Sequence, residues 1–472
     1  MSATINGIYW DYGPDDKIEY FDASKSYYIT GYRPINETEG LDFDPDWFRE
    51  DAINKQKSGR YSPSSIPMFS RSHRNWWLER QRRCIEGFES HGYTITGDHY
   101  FFLNFYSLKS SKIGETNQQY GFPEFLVFQY EYFHYLSLCA KLDLDAAVLK
   151  SRGIGFSEII ASCAVNAYTN IANFRTVVSA FSDNHLAPTL AKIWLQLDWL
   201  NENTETAFRR VRMVINTKTH KRASKRNKDG QESGHRSEIE GIIVDDPDKL
   251  RGDRTQLLIY EEAGANPSLM KSWIKGTALI TVLGGKRVGR KVAFGTGGSS
   301  KSGSMEGLSD LINNPVAGGV LPVKHNYTAT RESIITGMFI PAYRIVYSKI
   351  DKRGYCKESD AIEYYNKERA AFTNGKNLLD YEAEYCFTIE EALIQKDSEY
   401  FPRDELVEQL TQINIFKSVP SPKRGSLVWK RNANDEPDGV KWKYDDKGKI
   451  QIFEHPLISP EGTTYRNLYV AG

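Results

Sequence analysis

The 472-residue sequence has no excess of either charge: 61 Lys and Arg balance 61 Asp and Glu. That excludes a general polycation that coats nucleic acid, so any contact with a polyanion must come from a local patch. No apolar run approaches the ~20 residues that cross a bilayer. The opening Met1-Ser2-Ala3-Thr4-Ile5 lacks the basic flank and apolar core of a secretory signal. Cysteine is scarce. The five thiols, Cys84, Cys139, Cys163, Cys356 and Cys386, lie far apart with no C-x-x-C pair. Neither a disulfide framework nor a zinc knuckle is supported, and a reducing, cytosolic setting is expected. No internal repeat or low-complexity tract is visible. What is present is a globular composition: 40% hydrophobic against 26% charged residues can bury a sizeable core, which excludes wholesale disorder. At roughly 150 residues per domain the length predicts two or three domains. The 28 tyrosines predict large buried surfaces with hydrogen-bonding handles.

Residues 1 to about 70 are polar, acidic and rich in Tyr and Pro, and read as a loosely built N-terminal extension. Helical spacing of Trp76, Trp77, Arg80 and Cys84 predicts a helix from Arg74 to Gly87. The segment Thr94 to Phe105 reads as a Gly-containing turn running into an aromatic strand. A helix is expected from Phe125 to Cys139. Then short, wholly apolar runs alternate with helical segments. Strands are expected at Ala146–Leu149, Thr176–Ala180, Gly241–Val244, Leu257–Tyr260, Lys291–Phe294 and Val320–Val323. Helices are expected at Glu158–Tyr168 and Leu186–Leu200. Runs of this kind suit strands buried on both faces, and the alternation predicts a parallel βαβ sheet. From about Pro341 to Leu410 the chain turns helical and charged, and a hairpin is expected around Asp445-Asp446-Lys447-Gly448.

Strand Ala146–Leu149 leads into Lys150-Ser151-Arg152-Gly153-Ile154-Gly155-Phe156-Ser157 and then a helix. A glycine loop between strand and helix is an anion site, because backbone N–H groups and the helix N-terminus face the ligand. Against G-x-x-x-x-G-K-[ST], Gly155 and Ser157 match, but Phe156 stands where the lysine belongs and Lys150 where the first glycine belongs. A lysine at the other end of the loop can fold back over β- and γ-phosphates, since a flexible point charge needs reach rather than one position. Arg152 offers a second cation, and Ser157 keeps the hydroxyl that binds Mg²⁺. Alternatively, Gly153 and Gly155 merely shape a tight βα turn.

Downstream, Leu257-Leu258-Ile259-Tyr260-Glu261-Glu262 is an apolar strand ending in paired acids. An ATPase of this kind needs one acid to support Mg²⁺, directly or through water, here Glu261, and one to polarise the attacking water, here Glu262. A solvated acidic loop is the plainer alternative. Lys291 to Phe294 runs into Gly295-Thr296-Gly297-Gly298, where Thr296 would sense the γ-phosphate and the glycines would pass its loss on as backbone movement. A plain Gly-rich turn fits equally. Gln129 is a candidate reader of an adenine edge, though a lone Gln reads more simply as a solvated surface residue. Asp245-Asp246-Pro247-Asp248 reads as a turn rather than a metal cluster.

In this order the motifs resemble those of the large terminase subunit of tailed bacteriophages, the ATP-driven motor that pumps DNA into a procapsid. Lys150 to Ser157 is similar to the deviant Walker A of part of that family, with lysine opening the loop and an aromatic in the usual lysine position. Arg251-Gly252 before Leu257 to Glu262 resembles its approach to Walker B, with Glu261 replacing the usual Asp. Phe294 to Gly298 resembles its coupling motif, and Thr96 to Phe105 a signature that precedes the ATPase core. Glu382-Ala383-Glu384-Tyr385 with Thr388 to Ala392 resembles the segment that follows that core. The resemblance spans roughly residues 70 to 400. It implies an α/β phosphate-loop (ASCE-type) NTPase with a central, mostly parallel sheet flanked by helices. The expected organisation is an N-terminal extension at 1–115, an ATPase core at 116–340 and a helical lid or linker at 341–415, with a linker and the start of a ribonuclease-H-like nuclease at 416–472. Tyr469-Val470-Ala471-Gly472 resembles the opening of that nuclease's first strand, so nuclease chemistry is expected to be missing. The resemblance further implies ATP and Mg²⁺, double-stranded viral DNA, a portal protein, a small terminase subunit, a pentamer on the procapsid and a host-cytoplasmic location. A DNA helicase and a nucleotide-free DNA-binding protein remain the other readings.

From Ala207 to Lys228 there are nine Lys and Arg and no acid. Lys221, Arg222, Lys225 and Arg226 are the candidate contacts to a phosphate backbone, which a motor must grip without reading sequence. A solvated loop is the alternative.

Overall fold

Sheet strands that are covered on both faces need apolar residues at every position, and their side chains divide alternately between two cores. The structure, a computed structural model, follows that rule. It describes residues 2–5, 8–11, 20–21, 29–35, 42–110, 119–250, 254–283, 286–298, 305–373, 375–393, 423–433 and 435–452. The chain falls into two units, Met1–Lys396 and Asp397–Gly472.

In the first unit the helices α1 (Glu50–Ser58), α2 (Arg71–Glu86), α3 (Gly97–Phe105) and α4 (Val127–Lys141) precede the sheet. Strand β1 (Ala146–Lys150) is followed by α5 (Phe156–Asn170), and β2 (Arg175–Ala180) by α6 (Asp183–Asn203). Then come β3 (His220–Arg222), β4 (Glu238–Ile243), β5 (Leu257–Glu261), α7 (Leu269–Gly276), β6 (Arg290–Thr296), α8 (Glu306–Asn313) and β7 (Met338–Ile340). Among the described residues these strands form one seven-stranded sheet in the order β7-β1-β6-β5-β2-β4-β3. All neighbours are parallel except the edge pair β4–β3. The fold is therefore α/β, with a mostly parallel sheet between helices. Val148, Val178, Ile259 and Phe294 enter one core, which they share with α3 to α6. Ala147, Val177, Leu258 and Ala293 enter the other, with Leu269 and Trp273 of α7 and Leu308 of α8.

Four expectations change. Thr94 to Phe105 is a three-residue strand (Tyr93–Ile95) followed by helix α3, not an aromatic strand; Thr96 caps the helix by accepting from His99 N. Every residue of α3 except Asp98 is buried, so no continuous polar face shows in its sequence. The N-terminal region is also less loose than expected, since Phe43, Phe48 and Tyr61 join the main core and Ala52 is fully buried. Asn104 of α3 anchors them: its amide donates to Phe48 O (2.8 Å) and its Oδ1 accepts from Ala52 N (3.1 Å). Val320–Val323 does not enter the sheet. Pro322 has no N–H for a ladder, and a two-stranded pair, Val323–His325 with Ile334–Thr336, forms instead, while β7 takes the sheet edge. Short 3-10 turns occupy Ala342–Arg344 and Tyr347–Lys349, and helices α9 (Glu358–Ala370), α10 (Gly375–Glu384) and α11 (Ile389–Ala392) follow only later.

The second unit holds β8 (Lys423–Arg431), β9 (Pro437–Tyr444) and β10 (Ile450–Ile452), in the order β9-β8-β10. The turn at Asp445–Gly448 exists, closed by Gly448 N donating to Asp445 O (2.8 Å). Its flanking strands do not pair with each other, however, because β8 lies between them. Arg251, Gly252 and Tyr469 to Gly472 lie outside the described residues.

Candidate phosphate-binding and catalytic site

Parallel strands bring their C-terminal ends to one edge, where their loops converge. Lys150 at the end of β1 is paired in register with Thr296 of β6 and Ile340 of β7, and Glu261 of β5 with Ala180 of β2. Lys150, Glu261, Glu262 and Thr296 therefore share that edge.

Between β1 and α5 the loop turns through Gly153 (φ +80°) and Gly155 (φ +72°), both left-handed. A Cβ on either would meet nothing within 4 Å, so the glycines answer to backbone conformation and the space beside them is open. Gly155 caps α5 and, being glycine, brings no side-chain hydrogen bond to the helix N-terminus. Phe156, in the customary lysine position, is buried with its ring against Tyr132 (4.6 Å) and Phe294 (4.8 Å). That position belongs to the core and cannot serve the loop.

Lys150 stands at the other end of the loop. The residue is 6% exposed, and its ammonium donates to Thr296 Oγ1 at 2.6 Å and lies 3.4 Å from Glu262 Oε1. Glu262 Oε2 accepts from Thr296 N (3.2 Å), and Thr296 Oγ1 lies 3.4 Å from Oε1. Lysine, glutamate and threonine thus form one closed network. Glu262 has left-handed backbone angles (φ 42°, ψ 53°), a strained conformation for a residue with a side chain, and caps the 3-10 turn Ala263–Ala265. Its side chain is 30% exposed, so the carboxylate stays open on one side.

Glu261 is different. It is buried and accepts from Ser157 Oγ at 2.8 Å, while its Oε2 is buried with no hydrogen-bond partner of ordinary geometry. Burial pushes its carboxyl up to about 7; Glu262 adds to the rise, and Ser157, Lys150 and the nearby Thr189 oppose it. An orphaned buried carboxylate oxygen beside a serine hydroxyl fits a hard divalent cation. Among the described residues no group of three or more His, Cys, Asp or Glu is placed to hold a metal. Mg²⁺ suits such a sparse site, because it takes one or two protein ligands and keeps water and phosphate oxygens.

Two connections leave the site. A Cβ on Gly295 would come within 3.0 Å of Gly264 N, so β6 and the turn after Glu262 touch backbone to backbone. A Cβ on Gly297 would lie 2.4 Å from Ala383 O and 2.8 Å from Ala392 O, and Gly298 N donates to Ala392 O (3.1 Å). The phosphate loop meets the same segment. Arg152 N donates to Glu384 O (2.8 Å), Ser151 Oγ to the same carbonyl (3.3 Å), and the exposed Arg152 guanidinium ion-pairs with the Glu384 carboxylate. Sequence reading missed Glu384 as a partner of the loop. Its one signal was its place in a segment with a family resemblance.

The other candidates stand apart from this network. Ile154 is buried. Gln129, on α4, is not a solvated surface residue: it is buried, and its Oε1 has no partner. The cationic run is not one free loop. Lys221 and Arg222 lie in edge strand β3, while Lys225 and Arg226 pair with Glu232–Ser233 in a two-stranded turn. Arg222 is engaged by Glu232 (2.7 Å) and Glu238 (3.3 Å), and Lys221 by Asn216 (2.6 Å). Lys225 and Arg226 are exposed. Asp246 accepts from Asp248 N and caps the 3-10 turn Pro247–Lys249, as a turn rather than a metal cluster requires. No described helix is long and apolar enough to cross a membrane.

No protein-family description matches the chain, and no curated protein sequence matches it. Among solved structures it is similar to the ATPase domain of the Thermus phage P74-26 large terminase, in a single-substitution mutant. There the TM-score is 0.38 and the identity 14%, over 56% of this chain and 94% of that one. It is also similar to the HK97 bacteriophage large terminase, with a TM-score of 0.38 and 13% identity, over 74% of this chain and 62% of that one. A third is the large terminase of a thermophilic bacteriophage in complex with ADP, with a TM-score of 0.23 and 10% identity, over 62% of this chain and 57% of that one.

Proposed function

We propose that this chain is an ATP-hydrolysing motor subunit that translocates double-stranded viral DNA into a procapsid, a large terminase subunit. The observation that carries the ATPase part is the reach of Lys150 from the wrong end of the loop. Its ammonium lies at the strand edge, bonded to Thr296 and Glu262, beside an open glycine turn. A cation so placed neutralises charge that develops on a transferring γ-phosphoryl group, where catalysis is almost entirely positioning and electrostatics. Backbone N–H groups from Gly153 to Ser157 cradle the phosphates. Glu262, partly open and oriented by Thr296, polarises the attacking water. Ser157 and Glu261 would hold Mg²⁺, which when bound spreads the negative charge of the β- and γ-phosphate oxygens. Arg152 reaches the phosphates by leaving Glu384. Gln129, with a buried oxygen lacking a partner, is the adenine reader in this scheme.

Thr296 senses the γ-phosphate, and Gly295 and Gly297 carry its loss to the turn after Glu262 and to the 383–392 segment, which they touch. DNA contact falls to Lys221, Arg222, Lys225 and Arg226, with Lys225 and Arg226 the freer pair. The motif resemblance supports the further assignments: a portal protein and a small terminase subunit as partners, a homo-pentamer on the procapsid, the host cytoplasm, and an endonuclease outside residues 1–415. It also supports the division into extension, ATPase core and lid.

The test is Lys150→Ala, assayed for nucleotide affinity and hydrolysis. Loss of hydrolysis by about 100-fold or more is expected, the usual scale for one preorganised charge-stabilising group. Unchanged binding and turnover would remove Lys150 from its role, and absence of nucleotide binding and hydrolysis in the unaltered chain would overturn the ATPase reading.

A further inference from the structure

The second unit carries a sheet with two chemically distinct faces. In an antiparallel pair, residues directly opposite share a face and successive residues alternate. Gly425 lies opposite Tyr444, Leu427 opposite Trp442 and Trp429 opposite Val440, which makes one face apolar and aromatic. Ser426 lies opposite Lys443 and Val428 opposite Lys441 on the other face. Arg424 precedes Ser426 by one period on that face, and Lys430 follows Val428 beside the irregularity between Trp429 and Arg431. Arg424, Lys430, Lys441 and Lys443 are all exposed. None of them has an ion pair with a described residue, whereas Arg431 nearby is paired with Asp435 (3.2 Å). The acid that approaches this face, Asp445, accepts from Ser426 Oγ (3.4 Å) at the end of β9.

Four like charges crowded on adjacent strands repel one another, and strand pairing gains nothing from them. The arrangement makes sense when an external polyanion supplies the counter-charge. Both sides of the ladder are open, since Leu427, Trp429, Val440 and Tyr444 are exposed as well as the four cations. The cationic side offers cations on a flat ladder without a pocket, which suits a phosphate backbone and carries no means of reading bases. We infer that the β8–β9 face is a second, sequence-independent contact for duplex DNA, separate from the cationic run at 207–228. That run is partly neutralised by Glu232 and Glu238, whereas this face has no such partners among the described residues. The inference takes the identity of its polyanion from the DNA-motor reading.

Titration of the full chain onto a short random-sequence duplex, followed by anisotropy over a range of salt, tests it. The variant Arg424→Gln/Lys430→Gln/Lys441→Gln/Lys443→Gln should lessen the log–log salt slope by roughly three to four and weaken binding at least about tenfold. Basal ATP hydrolysis should not change. A charge-keeping variant, Arg424→Lys with Lys430, Lys441 and Lys443→Arg, should retain both slope and affinity. An unchanged slope in the neutralised variant overturns the inference, as does a polyglutamate that binds this face more tightly than DNA. The two proposals fail separately: absence of ATP hydrolysis in the unaltered chain sinks the motor reading, while the slope still decides the fate of the sheet.

Discussion

Glu262 combines three unusual conditions in one residue: a left-handed backbone, a neighbouring lysine, and a partly open carboxylate held by Thr296. Glu261, one position earlier, is buried and faces the other way, toward Ser157. Two adjacent acids thus meet different surroundings because one belongs to the strand and the other to the turn after it. Glu262→Gln keeps the size and the bond from Thr296 N but removes the proposed base. Turnover should fall by roughly 100-fold or more while nucleotide affinity shifts little, since positioned acid–base groups typically contribute that much. Steady-state kinetics with a nucleotide-binding titration would show it, and an equal loss in both would mean that the residue holds substrate instead. Phe156 teaches a complementary lesson at this scale. Sequence comparison marks it as a missing lysine, whereas the packing of its ring on Tyr132 and Phe294 shows a core position that a lysine would leave charged and buried.

At the scale of elements, the strands were legible because burial on both faces writes itself as an unbroken apolar run. β1, β2, β5 and β6 all appear close to their expected places. Helix α3 was not legible, since burial of all its residues but Asp98 erases the 3.6-residue pattern and leaves an aromatic run that reads as strand. The capping threonine was the available clue. Contacts across long separations were equally hidden: Ser151 reaches Glu384 over 233 positions, and no local pattern predicts such a partner. The glycine loops gave their positions but not their neighbours. Gly297→Ala tests the most confined of these. Its new Cβ would sit 2.4 Å from Ala383 O, a backbone atom that cannot swing aside as a side chain can. The 383–392 segment should be displaced, so hydrolysis without DNA should persist while its stimulation by DNA falls several-fold. Parallel assays with and without duplex would check this. Undiminished stimulation would mean that the contact is packing alone.

For the whole molecule, buried histidines set the response to acid. Burial lowers His134 to about 3, although its bond to the Thr94 carbonyl opposes the shift. Burial likewise lowers His235 to about 4, aided by Arg210, and His325 to about 4 against the pull of Glu390. Each stays neutral in the fold but takes up a proton when unfolded, from about pH 6.5 downward. The unfolded chain therefore binds more protons, and stability must fall as pH drops below that value. Glu205 adds to this lower down. Although burial opposes it, hydrogen bonds from Ser62, His73 and the Tyr61 backbone hold its carboxyl at about 2, so its contribution fades from the ordinary carboxylate range toward that value. Urea midpoints should decline steadily from pH 7 to pH 4, and His134→Gln should flatten the upper part of the decline. A midpoint constant across that range would contradict the assignment.

One consequence follows from the pairing of Lys150 with Thr296. They sit side by side on adjoining strands, locked by the ladder between β1 and β6. The gap between them cannot widen without tearing main-chain bonds within the sheet, so in the proposed motor this part is a chassis. Any power stroke of that motor would have to be delivered by the parts bolted to its rim, where glycines permit swivelling. A crosslink across that rim, and not one within the sheet, is what would stall it.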